Sequence, residues 1–280
     1  MPSPTDPEPA SGTGRPRASS ARISEAGRPR VVGPHGRLSL IWAILTVVAT
    51  MAGPLWLALW LAATSGLAGA QIARSRLDRP SRSAPDTAMA VTVVGAAAAA
   101  CVTLSAAFGP IVFAATAGTV LVVSLAYVLI NGGAIRTPVR ELLLVSGMAV
   151  AVGAAGAAPV LLLATSGLIP VLVLFAYAMA YDAGTYVVGS GAASAWEGPA
   201  AGIAATGTVT LAVAALLASP FRGSSPWVLG GLAAALAPIG PMLGTLFPGD
   251  PRVRVPALRR LDSLMVLGPL WALAATLLLD

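Results

Sequence analysis

Residues 160–189, VLLLATSGLIPVLVLFAYAMAYDAGTYVVG, decide the fold of this chain. The run from Val160 to Tyr181 carries no charge, and the only charged side chain of the whole stretch is that of Asp182. A helix of roughly 20 apolar residues is long enough to cross the hydrocarbon core of a bilayer. The stretch therefore predicts a membrane-spanning helix with a carboxylate at its end.

The same apolar character extends over most of the 280 residues, of which 56% are hydrophobic and only 10% are charged. Such a composition is typical of an all-α polytopic membrane protein. Breaks at proline, glycine or charge divide the sequence into about nine transmembrane candidates, and the Gly53-Pro54 junction joins the first two as a helical hairpin. Their approximate bounds are residues 38–52, 54–73, 87–106, 109–130, 139–157, 159–181, 200–218, 226–247 and 263–279.

Three regions follow from this division. Residues 1–37 are rich in proline, serine, glycine and arginine, and their low hydrophobicity predicts a disordered cytoplasmic tail. Residues 38–158 form an N-terminal group of transmembrane helices. Residues 159–280 form a C-terminal transmembrane region that carries most of the polar motifs.

Arginine placement predicts the orientation, because basic residues in short loops favour the cytoplasmic side. With the N-terminus inside, nine spans place 16 of the 17 arginines on the cytoplasmic side and leave only Arg222 outside. We therefore predict an outside C-terminus and an integral protein of the cell (plasma) membrane. The same topology puts Asp182, Glu197, Asp250 and Asp262 on the cytoplasmic face, in the predicted loops 182–199 and 248–262.

The inventory of reactive side chains excludes several functions. The chain has no lysine, its one histidine is His35 in the tail, and its one cysteine is Cys101 in an apolar run. Schiff-base chemistry, a P-loop lysine, a zinc cluster and a serine–histidine triad are therefore excluded. The excess of arginines over acidic residues indicates contact with anionic lipid head groups and not nucleic-acid binding.

The acids and arginines of the two predicted loops each have two interpretations. Asp182 either ends a helix at the membrane surface or binds Mg²⁺, which takes one or two carboxylates plus substrate phosphates. Glu197 and Asp262 are either helix caps or members of the same site. Arg259 and Arg260 are either positive-inside anchors or a phosphate clamp, because the arginine fork matches phosphate oxygens.

Three segments in a fixed order carry a resemblance. The runs YDAGTYVVG (181–189), WEGPAAG (196–202) and LRRLDSLMVLGPLW (258–271) together resemble the C-terminal half of the phosphatidate cytidylyltransferases, also called CDP-diacylglycerol synthases. The positions that match the family's motifs are Asp182, Gly184, Tyr186, Trp196, Glu197, Gly198, Arg260, Asp262 and Ser263.

The resemblance implies a magnesium-dependent nucleotidyltransferase of phospholipid biosynthesis, which converts CTP and phosphatidic acid to CDP-diacylglycerol and pyrophosphate. It implies catalytic roles for Asp182, Glu197 and Asp262, with Mg²⁺ held by Asp182 and Asp262. It implies substrate binding by Arg260, Trp196 and Ser263, and the phosphate-clamp interpretation adds Arg259 to the substrate-binding residues. The expected partners are phosphatidic acid, CTP and membrane lipids, and a homodimer is left open.

Two departures keep a second function open. The family's paired lysines before Trp196 are replaced by GAASA (191–195), and Arg259 stands where the family's signature begins with an aspartate. Both changes alter the charge around the site. The alternative is therefore a non-catalytic paralogue that binds lipid head groups or regulates a competent enzyme.

Overall fold

The computed structural model describes residues 35–77, 85–131, 136–194, 196–216, 219–248 and 255–279. Within these ranges the chain is helical and contains no strand, which confirms the all-α fold. Most of the predicted tail (residues 1–34) and the predicted loop residues Asp250, Arg252 and Arg254 lie outside them. The helix α1 begins at His35, so the last three residues assigned to the tail are helical.

The described residues form ten α-helices and two short 3₁₀ turns. The helices are α1 His35–Ala52, α2 Pro54–Leu77, α3 Pro85–Ser105, α4 Pro110–Asn131, α5 Arg136–Ser166, α6 Leu168–Gly189, α7 Glu197–Leu216, α8 Ser225–Leu236, α9 Ile239–Leu246 and α10 Asp262–Leu279. The 3₁₀ turns are Ala106–Phe108 and Leu258–Arg260.

Eight spans in the described part of the chain are long and apolar enough to cross a membrane. Helices α8 and α9 together make one of them, Ser225–Leu246. The apolar part of α1, Leu40–Ala52, is shorter than a full crossing. Gly53, with φ of 111°, makes the tight α1–α2 junction that the sequence predicted, because a positive φ favours glycine.

The boundary predicted at Pro159 is wrong. Helix α5 runs from Arg136 to Ser166 with Pro159 buried inside it, and the break falls at Gly167, where φ is 85°. Membrane helices tolerate an internal proline because neighbouring groups satisfy the freed backbone carbonyl. The division between residues 158 and 159 therefore falls within a continuous helix.

The long helix α5 is the centre of the bundle, because it contacts α2, α3, α4, α6 and α10. In the C-terminal half, Trp271 of α10 is fully buried and its ring centroid lies 6.0 Å from that of Tyr177 on α6. The Trp271 Nε1–H donates to the carbonyl oxygen of Leu229 on α8 at 3.0 Å. These contacts fix α10 against α6 and α8, and so fix the polar residues at the start of α10.

Candidate functional site

Asp182 lies inside helix α6 and not in a loop. The predicted helix end at residue 181 is wrong, since α6 continues to Gly189, about two turns or 12 Å further along the axis. The side chain of Asp182 is exposed, whereas the preceding Tyr181 is buried. Asp182 therefore keeps accessible residue surface on an otherwise apolar helix, while its carboxyl group is packed among neighbouring groups.

The first residues of α10 meet Asp182 across the bundle. The hydroxyl of Ser263 donates to Asp182 Oδ2 at 3.2 Å, and the Ser263 N–H donates to Asp262 Oδ1 at 2.8 Å. Ser263 is buried and Asp262 is half-buried. A serine thus links two carboxylates that are 80 positions apart in sequence, and we name Asp182 and Asp262 the acid pair.

Arg260, in the 3₁₀ turn before α10, places a positive charge beside the acid pair. Burial lowers the pKa of its guanidinium below the ordinary value, and the nearby carboxylates of Asp182 and Asp262 oppose that effect. Arg259 is exposed, whereas Arg260 is half-buried. The site therefore combines two acids, one hydroxyl and one adjacent guanidinium, with a second arginine at its edge.

Glu197 does not join the acid pair. Its carboxylate accepts hydrogen bonds from the N–H groups of Ala193, at 3.3 Å, and of Ser194, at 3.0 Å. Glu197 therefore closes the loop that precedes its own helix, α7, because it satisfies backbone donors that would otherwise lack partners. Trp196 is 78% exposed. The expectation that three acids converge is not met, because Glu197 is committed to this loop.

Helix α9 forms a wall beside Asp262, which the sequence analysis missed. A Cβ placed on Gly240 would collide with the carbonyl oxygen of Asp262, and one on Gly244 would lie 3.2 Å from Asp262 Cβ. Gly240 therefore needs to be glycine for α9 to approach this closely, and the contact at Gly244 is tight. The signal was present, since Gly240 and Gly244 have the four-residue spacing typical of close helix contacts in membranes.

Three glycines of the motif segments have a packing role. A Cβ on Gly184 would lie 2.7 Å from the carbonyl oxygen of Ala201, and one on Gly202 would lie 2.7 Å from the ring of Tyr181. Gly198 is buried against the backbone of Thr185. The glycines of the YDAGTY and WEGPAAG segments thus let α6 and α7 pack closely, and this packing orients the helix that carries Asp182.

The acid pair fits a metal that arrives with a substrate. Among the described residues, no three His, Cys, Asp or Glu side chains form a group that could hold a metal ion. Mg²⁺ usually keeps several waters and takes one or two carboxylates plus substrate phosphates. Asp182 and Asp262 therefore suit an ion that is brought by a phosphate ligand, and they do not form an all-protein cage.

Two cavities of the described part of the chain lie away from the acid pair. One of about 430 Å³ is lined by Ser219, Pro220, Arg222, Leu278 and Leu279, at the opposite end of α10 from Asp262. A second, also of about 430 Å³, is a groove of alanine, glycine and leucine side chains between α2 and α3. Neither includes a member of the acid pair.

Comparisons with known proteins give no identification. The chain matches no protein-family model, and no curated protein matches its sequence significantly. The resemblance to cytidylyltransferases therefore rests on the three motif segments alone.

Proposed function

We propose that the chain is a phosphatidate cytidylyltransferase-like membrane protein, which joins CTP and phosphatidic acid to give CDP-diacylglycerol and pyrophosphate. The observation that carries this proposal is the link of Asp182 to Asp262 through Ser263, with Arg260 adjacent. A carboxylate beside an apolar helix costs free energy unless it has a partner or a function. Two such carboxylates with accessible surface provide oxygen ligands where phosphates and a divalent ion would meet.

In this proposal Asp182 and Asp262 hold Mg²⁺, and Ser263 orients both carboxylates. Arg259 and Arg260 bind phosphate oxygens, as their fork geometry favours. Glu197 holds the loop after α6, and Trp196 at its tip supplies an exposed aromatic surface for substrate. When bound, Mg²⁺ would supply neutralisation of the triphosphate charge.

The reaction balances without a further co-reactant. An oxygen of the phosphatidic acid phosphate attacks the α-phosphorus of CTP, a new phosphoanhydride forms, and the bond between the α- and β-phosphates breaks to release pyrophosphate. The protein's part is to position the two phosphates in line and to offset their charge. The two arginines do this in place of the family's lysines.

The arginine distribution supports a cytoplasmic site in the plasma membrane. The eight full-length spans, together with the shorter apolar helix α1 counted as a ninth crossing, give a cytoplasmic N-terminus and an outside C-terminus. The hydrogen bond from Arg76 Nε to the carbonyl oxygen of Phe247, at 2.9 Å, is consistent with this count, because it puts the C-terminal ends of α2 and α9 on one side. The C-terminal end of α2 contains Arg74 and Arg76. The C-terminal end of α9 is followed in sequence by the four arginines that precede α10.

The test is transfer of label from CTP to lipid. The purified full chain, in mixed micelles with phosphatidic acid, Mg²⁺ and CTP labelled in the cytidine, should transfer label to the lipid fraction. Asp182→Asn and Asp262→Asn should abolish the transfer, and chelation of Mg²⁺ should do the same. Glu197→Gln is the matched carboxylate-to-amide control and should retain it. Absence of transfer by the unaltered chain would contradict the enzymatic proposal.

A non-catalytic paralogue that binds lipid head groups is the second candidate. It is favoured by Arg259, which replaces an acid of the family's signature, and by the lack of a third metal-binding acid among the described residues. Its signature would be binding of phosphatidic acid nanodiscs without label transfer. The loss of that binding in Arg259→Gln/Arg260→Gln would support it.

A further inference from the structure

Two polar side chains of α2 reach the segments that flank the acid pair. Arg76 donates from Nε to the carbonyl oxygen of Phe247 at 2.9 Å and from Nη2 to that of Leu246 at 3.4 Å. Gln71 accepts a hydrogen bond from the N–H of Ala257 at its Oε1, at 3.1 Å. These bonds join residues that are between 170 and 186 positions apart.

Arg76 acts on the C-terminal end of α9. The last carbonyl groups of a helix have no partner within it, and a guanidinium there supplies both hydrogen bonds and a charge that suits the helix dipole. Helix α9 in turn places Gly240 and Gly244 against Asp262. Arg76 therefore fixes the wall beside one member of the acid pair.

Gln71 acts on the 3₁₀ turn that carries Arg260. Its partner Ala257 precedes this turn, and the carbonyl oxygen of Ala257 accepts the N–H of Arg260 at 3.1 Å. The buried side chains of Leu258 and Leu261 anchor the same turn in the core. Fixing Ala257 therefore fixes the backbone from which Arg260 and Asp262 project.

We infer that Gln71 and Arg76 are positioning residues, which hold α9 and the 258–260 turn so that Asp262, Ser263 and Arg260 face Asp182. The relevance to catalysis rests on the proposed function, whereas the geometric part does not. The forked guanidinium is essential to this role, because one group spans two carbonyl oxygens. In Gln71 the essential feature is the acceptor oxygen.

The experiment measures the geometry directly. In a Cys101→Ser background, spin labels at Tyr186→Cys on α6 and Arg259→Cys on the turn report the distance between the two sides of the site. Double electron–electron resonance in nanodiscs gives the distance distribution. A second pair, Leu67→Cys on α2 and Val94→Cys on α3, reports general loosening of the bundle.

Matched variants separate positioning from charge and from folding. Arg76→Lys and Gln71→Leu should shift and broaden the 186–259 distribution and leave the 67–94 distribution unchanged. Arg74→Lys, on the same turn of α2, and Gln71→Glu, which keeps the acceptor oxygen, should change neither. Should Gln71→Leu fail to fold, Arg76→Lys decides alone.

Two outcomes overturn the inference: an unchanged 186–259 distribution in Arg76→Lys, or equal changes at both label pairs. The transfer assay adds the functional arm, in which Arg76→Lys should lower kcat by roughly tenfold or more, since small misplacements of reacting groups are costly. If Arg76→Lys changes the 186–259 distance but the unaltered chain transfers no label, the proposed function is contradicted and the positioning role is supported. If the unaltered chain transfers label but Arg76→Lys leaves the 186–259 distance unchanged, the proposed function is supported and the positioning role is contradicted.

Discussion

Two groups of polar side chains lie within the helical bundle, and they are built differently. In the first, Thr103 Oγ1 of α3 lies 2.9 Å from Ser65 Oγ of α2 and 3.0 Å from the carbonyl oxygens of Ala99 and Gly153. Ser65 and Thr103 are fully buried and neutral, and we name them the hydroxyl cluster. In the second, the acid pair consists of ionisable carboxyl groups, and its residues keep accessible surface.

The contrast separates packing from ligand binding. Every oxygen of the hydroxyl cluster has a partner inside the protein, and Gly156 of α5 closes it, since a Cβ there would lie 2.7 Å from Ser65 Oγ. Ser263 contacts one carboxylate oxygen each of Asp182 and Asp262. Buried polar groups with complete partners stabilise a fold, whereas acids with accessible oxygens are available to a ligand.

The largest expected effect is on the acid pair. Asp182→Asn/Asp262→Asn should lower CTP-dependent label transfer by at least about a hundredfold, because it removes the charges that would hold the metal and its phosphates. The melting temperature should not fall, because the change also removes repulsion between neighbouring carboxylates. Activity and thermal unfolding, measured on the same preparation, check both parts. A large loss of stability with little loss of transfer would make the acid pair structural.

The next effect is on the closure of the hydroxyl cluster. Gly156→Ala should lower the free energy of unfolding by about 1–3 kcal/mol, because its methyl group overpacks the contact with Ser65 and Thr103. Gly147→Ala, on the same helix and with open space around it, is the matched control and should be neutral or slightly stabilising. Denaturant titration in micelles measures both. Equal effects of the two changes would remove the close-packing argument.

A smaller effect is expected from the hydroxyl itself. Thr103→Val keeps the shape of the side chain and removes its hydrogen bonds, which in membrane proteins are worth about 0.6 kcal/mol and at most about 1.7 kcal/mol each. The free energy of unfolding should fall by an amount in that range, with label transfer unchanged. A fall in transfer without a fall in stability would show that the two polar groups are coupled.

The smallest effect is expected at Glu197. Glu197→Gln keeps one acceptor oxygen, for the N–H of either Ala193 or Ser194, and replaces the other oxygen by an NH₂ donor, so it loses the charge and one exposed hydrogen bond and stability should fall by about 1 kcal/mol or less. Label transfer should change by no more than a few-fold. A loss as large as that of Asp182→Asn would return Glu197 to the reacting centre.

The sequence predicts the helices better than their ends. Hydropathy is enough to find apolar spans, and Gly53 next to Pro54 is enough to place a junction. The helix boundary predicted at Pro159 was wrong because a buried membrane helix can continue through a proline. The helix ends at Gly167, where φ is positive. The helix end predicted before Asp182 was wrong for a similar reason. Ser263 donates a hydrogen bond to the Asp182 carboxylate, so α6 can carry this acid and continue to Gly189.

The order of the motifs predicts only part of the site. The order of the three segments predicted that Asp182 and Asp262 share a site, and the structure places Ser263 between them. The WEGPAAG segment also grouped Glu197 with them, but its carboxylate accepts hydrogen bonds from two backbone donors in its own loop. Gln71 and Arg76 resemble an ordinary polar helix end, and only the tertiary fold brings Phe247 and Ala257 to them.

Divalent-ion binding at the acid pair is the most direct test of the central claim. Mn²⁺ can replace Mg²⁺ as a probe, and electron paramagnetic resonance counts the bound ions in nanodiscs that contain the full chain and CTP. We predict one Mn²⁺ bound per chain, lost in Asp182→Asn/Asp262→Asn and retained in Glu197→Gln. Equal binding by all three proteins, or none by the unaltered chain, would contradict the account.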